Sequence, residues 1–264
     1  MKETVFLGGG RITGALLSGL RLAGYDQPVV VHDRHPAKLR RLQREFRARI
    51  EPDLHAAVTR ASLLIVAVRP DSMAQLLGSL APPDRPLLAV SLAAGVPLVK
   101  LRRHLGPPVR WARAMPSPTC RTRRGFTALA FSRELSPRER NTVRAFFARV
   151  GTVLEIAEDK FDVFTATYSS SHGYHALAAL SGAGEKLGLD RKTALAAAAH
   201  ALAGGVLAFQ AGKLSLENLM HEAATPGGIA ATVMKTMDDA GYYRIVERGV
   251  RAGMARARAN GRRV

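Results

Sequence analysis

The residues best suited to moving a proton lie together in a stretch that is otherwise rich in alanine and leucine. They are Tyr168, Ser169, Ser170, His172, Tyr174 and His175. If one helix ran through them, Tyr168, His172 and His175 would share a face, as would Ser170 and Tyr174. A histidine titrates near neutral pH, so His172 is a candidate general acid, with Tyr174 beside it and Ser170 as a substrate contact. The alternative is a solvated or helix-packing cluster, because a lone histidine is usually not catalytic.

A glycine-rich turn near the N-terminus indicates a different chemistry, the binding of a pyrophosphate. Gly8 and Gly10 lie between an apolar run that predicts a strand and a helical pattern from Ile12 onward. In that setting a helix N-terminus and backbone amides meet a phosphate, so Gly8, Gly10, Arg11 and Ile12 are candidate dinucleotide contacts. The third position of the fingerprint is Thr13, where Gly or Ala is usual. A glycine turn without a ligand is the alternative.

The residues after the second predicted strand bear on which dinucleotide binds. An acid at Asp33 can accept hydrogen bonds from the ribose hydroxyls of NAD, whereas a guanidinium at Arg34 suits the 2′-phosphate of NADP. Further positive charge comes from His32, His35 and Lys38. This pattern favours NADP and leaves NAD open. The alternative is that Arg34 and His35 are solvated loop residues.

A second turn, Thr225-Pro226-Gly227-Gly228, precedes a predicted helix that begins near Ile229. Free amides at that helix N-terminus would suit a substrate carboxylate, and a plain helix–helix turn is the alternative. Cys120 is the only cysteine, which excludes an internal disulfide and a cysteine-rich metal site. We therefore expect no metal and interpret Cys120 as incidental.

Two kinds of element must position these residues. Short apolar runs alternate with helical patterns through the first half, which is typical of βαβ units and a parallel sheet. The predicted strands are 4–7, 29–31, 63–68, 87–92, 109–112, 127–131 and 153–156, and the predicted helices are 12–23, 36–48, 72–80, 97–105 and 137–149. Residues 161–260 are rich in alanine and leucine and predict four or five helices, with breaks at Gly188, Gly212, the Thr225 turn and Gly241. The sequence thus predicts an α/β protein, with a Rossmann-like parallel-sheet domain over 1–157 and an all-helical domain over 158–264.

Composition and charge exclude several classes of protein. With 47% hydrophobic and 23% charged residues in a chain of 264, the protein is typical of globular domains. No run of about 18 apolar residues predicts a membrane span, and the N-terminus lacks a signal peptide, so we expect a cytoplasmic protein. The net charge of +18 raises the possibility of nucleic-acid binding through the arginine-rich C-terminal segment. No recognition motif accompanies those arginines, and a solvated helix face is the favoured interpretation.

Motifs along the whole chain resemble those of the pyrroline-5-carboxylate reductase family. They are Phe6-Leu7-Gly8-Gly9-Gly10-Arg11-Ile12, Ala67-Val68-Arg69-Pro70, Val90-Ser91-Leu92-Ala93-Ala94-Gly95-Val96-Pro97, Arg113-Ala114-Met115-Pro116-Ser117 and Thr225-Pro226-Gly227-Gly228. The resemblance implies that Ala67, Val68, Arg69, Pro70, Ala93, Ala94, Gly95 and Met115 line the cofactor from pyrophosphate to nicotinamide. It also implies a helical domain that dimerises and helps to complete the active site.

The chain departs from the family pattern in the residues that the resemblance assigns to substrate. Ser117 stands where the family has asparagine, and Ala230 stands where it has threonine after the glycine turn. The candidate substrate residues are Ser117, Ser170, Thr225, Gly227, Gly228 and Ala230. The resemblance implies an NAD(P)H-dependent reductase of a small cyclic imine or imino acid, with altered substrate specificity and a homodimeric or larger assembly. The alternative is a dinucleotide-binding protein without turnover that acts in regulation or assembly.

Overall fold

The computed structural model describes residues 3–264, which form eight strands and twelve α-helices. The strands are β1 (Glu3–Leu7), β2 (Val29–His32), β3 (Arg49–Ile50), β4 (Ala61–Val66), β5 (Leu87–Ser91), β6 (Val109–Met115), β7 (Gly125–Phe131) and β8 (Gly151–Glu155). The helices of the first half are α1 (Arg11–Leu22), α2 (Pro36–Phe46), α3 (Leu54–Arg60), α4 (Pro70–Gly78), α5 (Leu98–His104) and α6 (Pro137–Ala148). Those of the second half are α7 (Phe161–Thr167), α8 (Ser171–Lys186), α9 (Arg191–Gln210), α10 (Leu216–Ala223), α11 (Ile229–Asp239) and α12 (Tyr242–Arg262). Short 3₁₀ helices lie at Pro118–Thr122 and Glu158–Lys160.

The strands form one sheet in the order β3-β2-β1-β4-β5-β6-β7-β8. The first six are parallel and follow the doubly wound Rossmann order, in which the chain reverses direction across the sheet beside β1. Strand β7 is antiparallel to β6, and β8 is parallel to β7. The predicted α/β class, with a Rossmann-like sheet followed by helices, is confirmed. Ligands of such sheets bind at the carboxyl ends of the strands, where the order reverses.

Helices cover both faces of the sheet, so its central strands are apolar on both sides. Phe6, Ile65 and Val90 face one core, which α1, α2 and α6 complete. The adjacent residues, such as Val5 and Leu64, face a second core together with α4 and α5. Because both faces are buried, the strands appear in the sequence as continuous apolar runs, the pattern on which the prediction depended.

Two short elements of the first half were not predicted, β3 and α3. Helix α3 is seven residues long, and its N-cap Asp53 accepts a hydrogen bond from the Ala56 amide at 2.7 Å. Strand β3 has two residues and pairs with β2. Segments this short contain too few residues for an apolar period to stand out.

Contacts divide the chain into two compact units. The first comprises the residues up to Ala166 together with Gly253–Val264, and the second is Thr167–Ala252. The predicted domain boundary lies between residues 157 and 158, whereas in the structure most of α7 and the last turns of α12 belong to the sheet-containing unit. Those last turns lie against the loop after β5. A Cβ on Gly95 (φ +80°) would meet the carbonyl oxygen of Ala257, and a Cβ on Gly261 would meet that of Gly95.

The second unit is helical, and its breaks fall where glycines predicted them. Asp190 and Ser215 are the N-caps of α9 and α10, and each side chain accepts hydrogen bonds from amides of the first turn. One prediction was wrong. The stretch after residue 161 contains six helices where four or five were expected, because the chain breaks between Thr167 and Ser171. Tyr168 therefore does not share a helix with His172 and His175.

The second unit exposes many large apolar side chains. They include Tyr174, Leu187, Leu195, Val206, Leu207, Phe209, Leu216, Ile229, Val233, Tyr243 and Ile245. Helix α9 is long and apolar enough to cross a membrane by length and composition, the one such helix in residues 3–264, although the sequence analysis expected none. An apolar helix that packs against a second subunit meets the same criterion, so this finding alone does not indicate a membrane protein.

Candidate dinucleotide site and active site

The glycine turn between β1 and α1 has the backbone that its sequence predicted. Gly8 adopts φ +109°, and a Cβ there would lie 2.7 Å from the Ala67 carbonyl oxygen, so only glycine fits. Gly10 is the N-cap of α1, and no side chain caps that helix. A Cβ on Gly10 would meet nothing within 4 Å. The first-turn amides of α1 are thus available to a ligand, which can approach closely over Gly10.

Thr13, the departure from the glycine fingerprint, is fully buried and bonded to the turn. Its Oγ1 donates a hydrogen bond to the Gly8 carbonyl oxygen at 2.5 Å. The hydroxyl therefore stabilises the turn from within the helix, in place of the close packing that a third glycine provides.

Asp33, the candidate ribose contact, is already engaged by the protein. Its Oδ2 accepts a hydrogen bond from the Gly9 amide at 2.7 Å, and Oδ1 accepts one from the His35 amide at 2.8 Å. The His35 ring and Lys38 Nζ also lie within ion-pair distance of the carboxylate. Burial alone would raise the pKa of Asp33, but these hydrogen bonds together hold it below its ordinary value. Asp33 thus ties the loop after β2 to the glycine turn, and few of its lone pairs remain for a ribose.

A cleft of about 870 Å³ opens at the carboxyl ends of β1, β2 and β4, where the strand order reverses. Its lining includes Gly8, Gly10, Arg11, Ile12, Asp33, Arg34, Ala67, Val68 and Arg69, all of which the sequence analysis assigned to the cofactor. Pro70 is not part of this lining and begins α4, directly after Arg69. The exposed side chain of Arg34, together with Arg11, Lys38 and Arg41, makes the end of the cleft near β2 cationic.

The remaining candidate cofactor residues follow the neighbouring strands. Ala93, Ala94 and Gly95 come shortly after β5, and Met115 ends β6. Since the carboxyl ends of parallel strands lie along one edge of the sheet, these residues continue the line that begins at Gly8 and Ala67. They lie outside the lining of the cleft itself.

Ser117, which stands at the asparagine position of the resemblance, is buried in the loop after β6. Its Oγ lies 2.6 Å from Thr119 Oγ1 and accepts a hydrogen bond from the Phe126 amide at 3.3 Å. The hydroxyl is therefore used within the protein, where it joins the loop to the start of β7.

The role of Arg113 was not predicted from the sequence, although this residue lies in the motif before Met115. The side chain is buried, with Nη1 3.3 Å from Glu158 Oε1 and Nη2 3.6 Å from Asp162 Oδ1, and the guanidinium lies 4.3 Å from the centre of the Phe161 ring. Glu158 Oε1 also accepts a hydrogen bond from the Leu98 amide at 2.6 Å. Burial lowers the pKa of Arg113, and the two carboxylates oppose that shift. Two acids four residues apart, after the last strand, were the signal in the sequence.

The polar cluster of the second unit lies around the start of α8. His172 and Tyr174 are in its first turn and are exposed, with Tyr174 71% accessible. Ser170 is the N-cap residue, and its carbonyl oxygen accepts a hydrogen bond from the Tyr174 amide at 3.2 Å. Ser169 Oγ lies 2.7 Å from Ser171 Oγ.

The turn before α11 has the geometry of a glycine-dependent loop. Gly227 adopts φ +75°, and the Gly228 amide donates a hydrogen bond to the Thr225 carbonyl oxygen at 2.8 Å. Gly228 is the N-cap and no side chain caps the helix, so its first amides are unoccupied by the protein. Ala230 is exposed in the first turn. The nearest following hydroxyl, Thr232 Oγ1, donates to the Gly228 carbonyl oxygen at 3.1 Å.

Two models of known protein families match this chain. Residues 158–260 match the model described as pyrroline-5-carboxylate reductase dimerisation, and residues 3–95 match the model described as NADP oxidoreductase, coenzyme F420-dependent.

Curated relatives and solved structures match over nearly the whole chain. The pyrroline-5-carboxylate reductase of Mycobacterium leprae (strain TN) is 30% identical, with 97% of this chain and 96% of the relative aligned. That of Synechocystis sp. is 27% identical over 97% of each chain. A crystal structure of Plasmodium falciparum pyrroline carboxylate reductase with NADP bound has the same fold, with a TM-score of 0.87, 20% identity and 98% of each chain covered.

The Rossmann strand order and the glycine turn are consistent with the dinucleotide-dependent family model that matches the first half. The second half matches the dimerisation model. The identity to the mycobacterial enzyme, over almost all of both chains, assigns the family. This chain belongs to the pyrroline-5-carboxylate reductase family, whose members are NAD(P)-dependent oxidoreductases that act on carbon–nitrogen double bonds.

Proposed function

We propose that this chain is an NADPH-dependent reductase of a small cyclic imine or imino acid, with a specificity altered from that of pyrroline-5-carboxylate reductase. The cleft beside β1 is the observation that carries the proposal. It combines a turn that only glycine can form, an uncapped helix N-terminus and a cationic end, in a chain of this family.

The residues present fit a dinucleotide. Gly10 leaves open space where a side chain would otherwise stand, and the first amides of α1 would hold the pyrophosphate. Gly8, Arg11 and Ile12 would border it, and Ala67 to Pro70 would continue toward the nicotinamide. Ala93, Ala94, Gly95 and Met115 would contact the nicotinamide end, since they follow the next strands of the sheet.

Three observations favour NADP over NAD. The carboxylate of Asp33 accepts hydrogen bonds from Gly9 and His35, so it is poorly placed to select ribose hydroxyls. Arg34 is exposed at the cationic end of the cleft, where a guanidinium can bind a 2′-phosphate through two hydrogen bonds. The Plasmodium relative was solved with NADP bound.

The chemistry divides between the cofactor and the chain. When bound, NADPH supplies the hydride. A protonated imine accepts it at carbon, and the electron pair of the double bond then stays on nitrogen, so no second proton is needed. A neutral imine needs one proton at nitrogen. The chain's own work is to hold the substrate, exclude water and, for a neutral imine, donate that proton.

His172 and Tyr174 are the proposed proton donors, and Ser170 a proposed substrate contact. Their position at the start of α8 supports this assignment, since the first turn of a helix presents side chains and amides at its end. Thr225, Gly227 and Gly228 would bind a substrate carboxylate through the uncapped amides of α11.

The proposal of altered specificity depends on two residues. Ala230 presents a methyl group where the resemblance implies a threonine hydroxyl, and Ser117 uses its hydroxyl within its own loop. A site that lacks a substrate hydrogen bond loses orders of magnitude in turnover of that substrate. We therefore expect pyrroline-5-carboxylate to be a poor substrate, and another cyclic imine or carbonyl compound to be preferred.

The assembly is proposed to be a homodimer or a larger homo-oligomer in the cytoplasm. The dimerisation model covers residues 158–260, and the helices of this stretch expose large apolar side chains. No nucleic-acid partner is proposed.

A pair of glycine variants tests cofactor binding. Gly10→Val has room in the unliganded protein but places a side chain where the pyrophosphate would approach, so it should fold normally and lose NADPH binding by calorimetry. Gly8→Ala, by contrast, is strained at φ +109° and should lower stability itself. Wild-type NADPH affinity in Gly10→Val would refute the assignment.

Steady-state assays with NADPH and a panel of cyclic imines test the substrate proposal. A kcat/KM for pyrroline-5-carboxylate near the ordinary range of about 10⁴ M⁻¹s⁻¹ or more would refute altered specificity. Ala230→Thr should raise turnover of that compound if the missing hydroxyl is the cause. With the preferred substrate, unchanged turnover in His172→Ala would remove His172 from the mechanism.

A further inference from the structure

A second, smaller cavity of about 240 Å³ lies beside the dinucleotide cleft, between α1, α2 and the 3₁₀ helix at Pro118–Thr122. Three arginines line it, one from each element: Arg11, Arg41 and Arg121. Glu45 is the only acid in the lining, and Phe46 forms an apolar wall. Three positive charges against one negative leave the cavity with two net positive charges.

The three guanidiniums are not neutralised by the protein. In residues 3–264, none of them lies within ion-pair distance of a carboxylate. Each has therefore kept the hydrogen-bond donors that an anion would use, and an arginine can offer two of them in a fixed fork.

The walls of the cavity are held in place by hydrogen bonds that do not use these guanidiniums. Ser18 Oγ donates to the Arg121 carbonyl oxygen at 3.2 Å, which joins α1 to the 3₁₀ helix. Arg21 Nε donates to the Phe46 carbonyl oxygen at 2.8 Å, which joins α1 to the end of α2. Helix α1 also packs closely on the 3₁₀ helix, since a Cβ on Gly19 would overlap the Cys120 carbonyl. The backbone that carries the arginines is thus fixed before any ligand binds.

The cavity adjoins the dinucleotide cleft without coinciding with it. Arg11 and Arg41 line both, whereas Arg121 lines only the smaller cavity and Arg34 only the cleft. An anion bound by Arg121 would therefore share two cations with the phosphates of a bound dinucleotide and would repel them.

We propose that this cavity is an effector site for a phosphate dianion, either free or as the monoester of a small metabolite, and that its occupancy weakens NADPH binding. A phosphate monoester carries close to two negative charges near pH 7, which matches the net charge of the lining. The coupling to NADPH rests on the proposed function, but the anion site itself does not, because it can be measured in the protein without cofactor.

The test is a calorimetric titration with inorganic phosphate, at an ionic strength kept constant with sodium chloride. Arg121→Gln should weaken phosphate binding about tenfold or more, the effect of losing a charged hydrogen bond. Arg124→Gln, which removes the same charge from an exposed residue outside the lining, should leave it unchanged. Arg34→Gln, a cleft residue, should also leave it unchanged. Saturating phosphate should raise the Kd for NADPH at least about fivefold in the wild type and not in Arg121→Gln.

Three results would overturn the proposal. The first is the absence of a specific site. Either no saturable phosphate binding, or equal weakening by Arg121→Gln and Arg124→Gln, would indicate only non-specific attraction of anions to a basic surface. The second is phosphate binding that Arg34→Gln abolishes and Arg121→Gln does not, since the anion would then lie in the dinucleotide cleft. The third is an NADPH affinity that phosphate leaves unchanged. Absence of NADPH binding altogether would refute the proposed function. The anion site would still be tested independently, by comparing phosphate binding to Arg121→Gln and Arg124→Gln without cofactor.

Discussion

Neighbouring residues after β2 have opposite roles, although the sequence presents both as candidates for the ribose. Asp33 is turned into the protein, where its side chain is 7% exposed and accepts hydrogen bonds from two backbone amides. Arg34 is exposed in the cleft. The acid therefore shapes the glycine turn and the base is available for the ligand, which is why the pair favours NADP.

Replacing Arg34 should separate the two cofactors. Arg34→Gln removes a charged hydrogen bond to the 2′-phosphate and should weaken NADPH by about 1.5–3 kcal/mol, with NADH affected little. Affinities from fluorescence titration of both cofactors measure the difference, and Arg40→Gln, an exposed residue of the following helix outside the cleft, is the control. Equal weakening of both cofactors would show that Arg34 does not discriminate.

Replacing Asp33 should affect stability, with a defined dependence on pH. In Asp33→Asn the side chain keeps one acceptor oxygen in place of two, so it can satisfy only one of the two backbone N–H donors. The variant should therefore lose about 1–3 kcal/mol in urea unfolding at pH 7. The folded-state pKa of Asp33 lies below its ordinary value, so its contribution is present above about pH 4 and is lost as the pH falls through the lowered value. The difference in stability between wild type and variant should therefore shrink below about pH 4. Asp26→Asn, at an exposed acid, should show no such pattern.

Among the elements, α12 differs most from its predicted place. The sequence predicted it as part of the helical domain, but its last turns pack on the sheet-containing unit. Gly261 allows its backbone to touch the carbonyl of Gly95, in the loop that the family resemblance assigns to the nicotinamide. Val264 packs beside the second core, and its carbonyl oxygen lies 3.3 Å from His104 Nε2. The C-terminal turns thus support a candidate cofactor loop from behind.

The same substitution at two glycines of α12 should have opposite effects. Gly261→Ala places a Cβ well inside van der Waals contact with the Gly95 carbonyl oxygen and should destabilise the protein by about 1–3 kcal/mol. Gly249→Ala meets nothing within 4 Å and should stabilise the helix by about 0.5–1 kcal/mol. Thermal unfolding of both variants measures this. Equal melting temperatures would show that the close contact does not constrain the C-terminal turns.

For the whole molecule, most of the large apolar side chains that residues 3–264 leave exposed belong to the helical unit. Leu207 and Phe209, near the end of α9, are more than half exposed, and many apolar residues of α8 to α12 are exposed with them. Exposed apolar surface of this extent marks an interface in proteins that remain in solution. The family model matched over residues 158–260 is described as a dimerisation domain, which supports a homo-oligomer.

A charge placed on that surface should dissociate the assembly. Leu207→Glu introduces a carboxylate at an apolar position that a partner would bury, and light scattering at micromolar concentration should show a monomer. Leu22→Glu, at an equally exposed leucine at the end of α1, should remain oligomeric. A wild-type protein that is monomeric at this concentration would contradict the dimer outright.

The sequence alone determined those features that depend on local pattern. Apolar runs bounded by helical periods placed the sheet, because strands buried on both faces consist mainly of apolar residues. The turns at Gly8 and Gly227 could be predicted because each glycine meets a local backbone need, a positive φ. The motifs for the family could be recognised for the same reason.

Only the tertiary structure decided what depends on residues far apart in the chain. The engagement of Asp33 requires the glycine turn to lie beside the loop after β2, and the burial of Arg113 requires Glu158 and Asp162 to fold back onto β6. The cavity between Arg11, Arg41 and Arg121 likewise arises from three separate elements. The break between α7 and α8 was missed because Tyr168 to Ser170 contains no glycine or proline to mark it. Whether a polar side chain serves the fold or a ligand depends on which groups surround it, and that arrangement exists only after the sheet has brought the loops together.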